Sequence, residues 1–366
     1  MSRFVTNIVE QILYLRGEEF TAEDCKRGLQ CSTDDRSVIL ALFLERWFDA
    51  SPTIEVKTSG STGTPKVLKV EKKHMIQSAV ATCTYFDLQR GDRVLLPLPL
   101  EYISGMMMVV RALVAGLELY IVPLSSHPMS SVSDGQDFRF IPMTPMQLSC
   151  TLEVDQERSR LDNVEIILLG GGVVPVKLER DVETLKSAVY SSYGMTETLS
   201  HIALRRVNGS DRSDYYTPLE GVHLSLSEDD TLVINAPKIS SQVLVTNDIA
   251  DLSSDGTFTI EGRKDNVVNS GGVKIHLEKV EEMIRRVLPL PFALTSIPDD
   301  ILGERLVMLI EKHSDIDLPM IKEEIKGVLP SIQTPKEIYL ITSIPMTETD
   351  KINRKACKEI AYSKSK

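Results

Sequence analysis

The sequence predicts an α/β protein: a large N-terminal domain of doubly wound sheets with a short-strand β subdomain, then a small α+β C-terminal domain. Three observations carry this. Up to about residue 191, apolar strand patterns alternate with helical ones, the rhythm of parallel strands joined by crossover helices. Beyond residue 205 the pattern turns to short strands and turns, near 222–227, 231–235, 242–246 and 257–260. After the polar stretch Gly262-Arg263-Lys264-Asp265 a third rhythm of mixed strands and helices begins, so the boundary is placed there. The expected units are 1–262, a junction at 263–265, and 266–366. With 366 residues, 42% of them hydrophobic, the chain is long enough for two cores.

In order, helical periodicity is expected over 3–15 and again from Arg36 to Asp49, where Val38, Ile39, Leu42, Phe43 and Trp47 form one stripe. Thr53–Val56 and Val67–Val70 read as two strands of a hairpin. Glu71–Phe86 is a helix, Arg93–Leu96 a short strand, and a Met-rich helix from residue 103 ends at Gly116 before the strand Leu117–Val122. An apolar strand over Asn163–Leu169 runs into Gly170-Gly171-Gly172, followed by a helix from Pro175 to Ala188 and a strand at Val189–Ser191. The C-terminal unit is expected as a helix at Leu277–Val287, strands near Phe292–Ile297 and Arg305–Glu311, a helix at 318–329, a strand at 336–341 and a basic helical tail.

Composition removes several classes of function. A formal charge of −11 argues against nucleic acid as partner, since a phosphate backbone demands a basic face. No run of eighteen apolar residues occurs and the N-terminus lacks a signal-peptide pattern, so a cytoplasmic protein without membrane insertion is expected. The five cysteines are scattered without a C-x-x-C pair, which suits reduced thiols rather than bridges or a zinc site. The six histidines are likewise scattered, and no Ser/His/Asp or Cys/His set stands out.

The chemistry is concentrated in Thr58-Ser59-Gly60-Ser61-Thr62-Gly63-Thr64-Pro65-Lys66. Glycines let backbone N–H groups approach an anion, hydroxyls add donors, and the lysine brings a point charge. Gly60 and Lys66 have the outer spacing of a P-loop, but Pro65 replaces its second glycine, Val67 replaces the Mg²⁺-binding hydroxyl, and a strand follows where a helix should. In an acidic molecule, anionic ligands such as ATP would need these few local cations and a divalent metal. A solvent-facing Ser/Thr/Gly turn is the alternative for this segment alone.

This loop resembles the signature of the adenylate-forming superfamily, which includes acyl-CoA synthetases, luciferases and adenylation domains. Five further segments, in the right order along the chain, support the resemblance. Tyr193-Gly194-Met195-Thr196-Glu197-Thr198 matches Y-G-x-T-E; by itself it could be only a capped helix start. Gly170-Gly171-Gly172 is similar to the turn beside adenine, and Thr246-Asn247-Asp248 stands for T-G-D, with Asn247 in the place of a glycine that a turn would need. Gly262-Arg263-Lys264-Asp265 through Gly271-Gly272 resembles the junction stretch, and Pro345 through Lys351 to Arg354 the C-terminal lysine motif, with Asp350 where the family has glycine.

By this resemblance, Thr58–Thr64 and Lys66 bind the phosphates, Gly170–Gly172 and Tyr193 line the adenine site, and Asp248 and Arg263 hold ribose. Thr196 touches the α-phosphate, Glu197 ligates Mg²⁺, and Lys351 neutralises charge between carboxylate and α-phosphate. Asp265 is the hinge of a swinging C-terminal domain, and Gly271-Gly272 line the channel for CoA. Tyr102, Ser104 and Gly105 belong to the acyl pocket, although Tyr102 replaces the family's histidine. The implied reaction joins a carboxylic acid to ATP as acyl-AMP, then passes the acyl group to CoA. A short N-terminal part and strings such as Met143–Leu148 are similar to the branch that activates o-succinylbenzoate, an aromatic carboxylic acid, in menaquinone synthesis. A stand-alone adenylation enzyme loading another acid onto CoA or a carrier protein, and a silent nucleotide-binding protein, remain open, as does homo-oligomerisation.

Overall fold

The computed structural model describes residues 3–26, 35–57, 67–312, 316–347 and 352–365. A nine-stranded sheet organises the N-terminal part, in the order Thr217–Pro218, His201–Arg206, Ala188–Gly194, Val164–Leu169, Phe138–Met143, Arg93–Leu96, Glu118–Ile121, Leu13–Leu15 and Glu18–Phe20. The pairings from Ala188–Gly194 through to Leu13–Leu15 are parallel, and antiparallel strands finish both edges.

Because strand side chains alternate between faces, a sheet covered on both sides needs apolar residues at nearly every position. Phe140, Ile166 and Leu168 join a core beneath the helices Asp35–Phe48, Lys72–Tyr85 and Ile103–Ala115. Their neighbours Ile141, Ile167 and Leu169 face the opposite way, against Leu148, Leu152 and Leu178 of the helices Pro145–Leu152 and Val176–Asp181. The expected doubly wound architecture is thus present.

Two smaller sheets follow. Residues His223–Leu226, Thr231–Asn235, Leu244–Leu252 and Phe258–Arg263 form a four-stranded antiparallel sheet. The last sheet has the order Val273–His276, Val267–Ser270, Gly303–Glu311, Phe292–Asp299, with Glu337–Ile341 parallel to Gly303–Glu311. Its two faces also carry separate cores, Leu294, Met308 and Ile310 on one side, Ala293, Val307 and Leu309 on the other. The expected hairpin forms, with Thr53–Lys57 antiparallel to Val67–Glu71.

Three local expectations are corrected, and one strand has no counterpart in the sequence reading. Residues 3–15 do not form a helix; Leu13–Leu15 is a strand paired with Glu118–Ile121, followed by a reversal in which Arg16 and Gly17 have φ of 51° and 86°. A partner more than a hundred residues away overrides the local period. In Asp35–Phe48 the buried face is Leu40, Phe43, Leu44, Trp47 and Phe48, whereas Val38 and Leu42 are half exposed. The helix expected up to Ala188 stops at Asp181, with one 3₁₀ turn to Thr184. Buried Asn208 explains the stop: its amide donates to the carbonyls of Val182 and Ser187 and accepts from Val189 N–H, holding the chain extended. Finally, the central strand Phe138–Met143 escapes the sequence pattern because Pro142 reads as a strand breaker.

Candidate active site

Ligands of open α/β sheets gather where the strands end. Here the carboxyl ends of Val164–Leu169 and Ala188–Gly194 lie side by side, with Leu169 opposite Ser191. They deliver Gly170–Gly172 and Tyr193-Gly194 to one edge, and Ser192 ties them by donating to Leu169 O at 2.7 Å. Glycine is compulsory at 194. A Cβ there would stand 2.3 Å from Ser200 O and 2.6 Å from the Cα of His201, where the adjoining strand bulges. The intervening loop is closed by buried Thr198, whose hydroxyl accepts from Met195 N–H and donates to Ser200 O at 2.7 Å. Thr198 is therefore the structural hydroxyl of the motif, leaving Thr196 half buried and Glu197 exposed.

A chain of polar contacts links this edge to the four-stranded sheet. The Tyr193 hydroxyl donates to Asp248 Oδ2 at 2.7 Å, and Arg263 Nη1 donates to Asp248 Oδ1 at 3.1 Å. Arg263 Nη2 reaches Asp265 Oδ2 at 2.9 Å, which also accepts from Asn247 at 3.2 Å. Burial first, then the Asp248 carboxylate, pushes the Tyr193 hydroxyl far above the ordinary phenol range, so it stays a donor. Burial opposes the Arg263 charge, but Asp265 and Asp248 outweigh it and raise its pKa. The Tyr193 ring meets Phe258 edge-on at 5.3 Å. Each Asp248 oxygen has one donor in place, which leaves carboxylate lone pairs for further hydroxyls.

Thr246-Asn247-Asp248 is not a turn. It lies within the strand Leu244–Leu252 and Asn247 has no positive φ, so the expected need for glycine-like freedom does not arise. Asp248 is placed by pairing opposite Arg263 and by Thr246 Oγ1, which accepts its N–H at 3.0 Å.

On the other side, Pro97–Leu100 leads into the helix Ile103–Ala115, and Gly105 packs so closely on Pro99 that a Cβ would fall 2.2 Å from its carbonyl oxygen. Tyr102 bridges to Lys57, the last described residue before the Ser/Thr/Gly loop, so the start of this helix adjoins the strand that leads to that loop. The helix also carries a residue that motif reasoning missed. Arg111, 3% exposed, donates to Ser200 Oγ at 2.6 Å, and its Nε has no partner among the described residues. No carboxylate there pairs with it, and burial draws its pKa down to about 10. Ser104, Met107, Met108 and Arg111 follow one helical face, from exposed Ser104 inward. The available signal was a single cation inside the apolar run Met106–Ala115.

The loop residues Thr58–Lys66, and Lys351, lie outside the described residues. Gly271 and Gly272, with φ of 59° and 81°, make the tight turn between Val267–Ser270 and Val273–His276, where Gly271 N–H donates to Leu302 O. No group of three or more His, Cys, Asp or Glu side chains able to cage a metal exists among the described residues. This donor set fits a Mg²⁺ that arrives with nucleotide phosphates and takes one carboxylate from the protein. Glu197, with no hydrogen-bond partner among the described residues, can supply it.

Comparison with known proteins places this geometry. Residues 57–238 match the model of the AMP-binding enzyme family. The solved acyl-CoA synthetase (AMP-forming)/AMP-acid ligase II-like protein of Dyadobacter fermentans is 34% identical, with 91% of this chain and 96% of that chain covered and a TM-score of 0.62. The chain belongs to the AMP-binding enzyme family. Among named AMP-binding relatives, a 2-succinylbenzoate–CoA ligase of Listeria monocytogenes is 27% identical over 86% of this chain and 72% of its own length. The o-succinylbenzoate CoA synthetase of Bacillus subtilis, solved with its acyl-adenylate intermediate, is 17% identical and shares the fold, with a TM-score of 0.77 and 95% of both chains covered.

Proposed function

We propose that this AMP-binding enzyme is an acid–thiol ligase that converts o-succinylbenzoate, ATP and CoA into o-succinylbenzoyl-CoA, AMP and pyrophosphate. The carrying observation is the junction of Tyr193, Asp248 and Arg263, three separate segments meeting beside Gly170–Gly172 at the end of the parallel sheet. Gly170–Gly172 and Tyr193 border the adenine, while Asp248 and Arg263 receive the ribose hydroxyls. Thr58–Thr64 and Lys66 cradle the phosphates at the mouth of the hairpin, and Thr196 contacts the α-phosphate.

A carboxylate oxygen of the acid attacks the α-phosphorus, the bond to the β-phosphate oxygen breaks, and pyrophosphate leaves. Mg²⁺ held by Glu197 would supply charge neutralisation on the phosphates. Lys351 balances the charge that builds between the two anions, so catalysis rests on positioning and cations. The CoA thiol then loses its proton and forms a bond to the acyl carbon as AMP departs. For that step the small domain turns about Asp265 and presents Gly271-Gly272 to the pantetheine arm.

The acid carries a second carboxylate that stays ionised, and it needs a desolvated cation. Arg111 meets the requirement: a buried guanidinium on the acyl-pocket helix, held by Ser200 and without a carboxylate partner among the described residues. Tyr102, Ser104 and Gly105 form the adjoining wall. The relatives named for this activity and the net charge of −11 support a small-molecule substrate rather than nucleic acid, in the cytoplasm. Incubation with o-succinylbenzoate, ATP, Mg²⁺ and CoA should yield the thioester by mass spectrometry together with AMP. Transfer of the acyl group to a carrier protein only, with AMP set free, or turnover with other acids only, would overturn the substrate assignment.

A further inference from the structure

Behind the Tyr193-Gly194 edge, polar side chains from distant parts of the chain form a continuous relay. Arg111 Nη2 donates to Ser200 Oγ at 2.6 Å, Ser200 Oγ lies 3.3 Å from His201 Nδ1, and His201 Nε2 lies 3.1 Å from Thr82 Oγ1. Thr82 belongs to the helix Lys72–Tyr85, and its hydroxyl donates to the Ser78 carbonyl one turn back, at 3.1 Å. Thr82, Arg111 and His201 are all buried. Two helices and the bulged start of the strand His201–Arg206 thus meet through hydrogen bonds within a largely apolar core.

The direction of each bond follows from the supply of protons. A hydroxyl has one hydrogen to give. Thr82 spends its own on the Ser78 carbonyl, so toward His201 its oxygen only accepts, and the imidazole hydrogen belongs on Nε2. Nδ1 is then an acceptor, the Ser200 hydroxyl donates to it, and the Ser200 oxygen keeps its lone pairs for Arg111. A neutral ring suits the place, since burial and the Arg111 charge both oppose a second cation. The backbone of Ser200 is fixed as well: its carbonyl accepts the Thr198 hydroxyl at 2.7 Å and lies where Gly194 leaves no room for a Cβ. Arg111 Nε has no partner among the described residues, so the relay holds the guanidinium while leaving that donor for a ligand.

We infer that His201 is a positioning residue for recognition of the acid: through Ser200 it sets the orientation in which Arg111 receives the carboxylate that is not activated. The inference rests on the reading of Arg111 given above and adds the residue that aims it. An anchor remote from the reacting carboxylate holds ground state and transition state alike, so its loss weakens binding of the diacid without slowing the chemical step.

Two acids separate this role from simple support of the fold in the full-length protein: o-succinylbenzoate, and 4-oxo-4-phenylbutanoate, which lacks only the ring carboxylate. His201→Leu should raise KM for o-succinylbenzoate on the order of 10-fold. It should leave kcat, KM for ATP, and ATP–pyrophosphate exchange driven by 4-oxo-4-phenylbutanoate near the parent values. His201→Asn, which can offer Ser200 an acceptor near the δ position, should recover most of the loss. Thr82→Val keeps the ring but removes the acceptor that fixes its hydrogen on Nε2; it should give a smaller rise for o-succinylbenzoate alone, and it carries the test if His201→Leu does not fold. In an Arg111→Met background His201→Leu should cost nothing more, because the two act as one unit. Equal losses with both acids, a matching rise in KM for ATP, no loss with o-succinylbenzoate, or losses that multiply in the double variant would overturn the inference. If Arg111→Met leaves KM for o-succinylbenzoate intact, the reading of Arg111 fails and the inference with it; if it raises KM and His201→Leu does not, only the positioning role fails.

Discussion

A single buried charge carries the proposed recognition of the acid. Arg111 sits in an apolar helix with Ser200 as its hydrogen-bond partner, an arrangement costly for folding and useful for holding an anion. Arg111→Met should therefore raise KM for o-succinylbenzoate by roughly 10²-fold, the scale of about 2–5 kcal/mol for one partner of a buried pair, without lowering the melting temperature. Steady-state kinetics and a thermal melt test both halves; a large fall in melting temperature would refute the account. Beside it, His201 is buried between Thr82 and Ser200. Burial first, and the Arg111 charge second, holds its pKa well below the usual 6.5. The unfolded chain thus binds this proton first as pH falls, so His201 removes stability on acidification below 6.5 and has no effect above it. His201→Gln should flatten the melting temperature between neutral pH and about pH 5 relative to the parent. For Arg111 the local sequence offered only a lone cation in an apolar run, and for His201 nothing, since burial of a polar side chain depends on which helix covers it.

At the scale of elements, the site owes its shape to connections that permit no spare atoms. Gly194 passes under Ser200 with no room for a methyl group, so Gly194→Ala should cost about 3 kcal/mol of stability and displace Tyr193 from Asp248. Denaturant unfolding and nucleotide affinity should fall together; normal ATP binding in a folded variant would contradict the claim. The motifs around such positions were legible because they are local: Tyr193-Gly194, Gly170–Gly172 and Arg263 read as turns and strand ends from residue types alone. The limits of elements were less so. Asn208 ends a helix from twenty-six positions downstream of Val182, and a long-range strand partner claims Leu13–Leu15. Neither effect leaves a periodic trace.

For the whole molecule, the four-stranded sheet ends at Arg263 and the five-stranded sheet begins at Val267, with the 3₁₀ turn Lys264–Asn266 between them. Contacts across this short link are polar: Lys279 pairs with Glu261 at 2.7 Å, and Asn266 bonds Glu278. Such contacts can exchange with water at little cost, which suits a joint. Asp265→Pro should accordingly leave ATP–pyrophosphate exchange near normal and strongly reduce thioester formation; equal loss of both would remove the hinge. The sequence by itself determined the fold class, and its glycines, hydroxyls and isolated cations in an acidic chain read locally as an anion site, while the adenine and ribose segments are what the family resemblance implies. Tertiary structure alone decided that Asp248 is shared by Tyr193 and Arg263, that Arg111 has no carboxylate partner among the described residues, and that Arg354 closes on Glu281. Those facts depend on distances between residues far apart in the chain, and only the packing of the sheets and helices sets them.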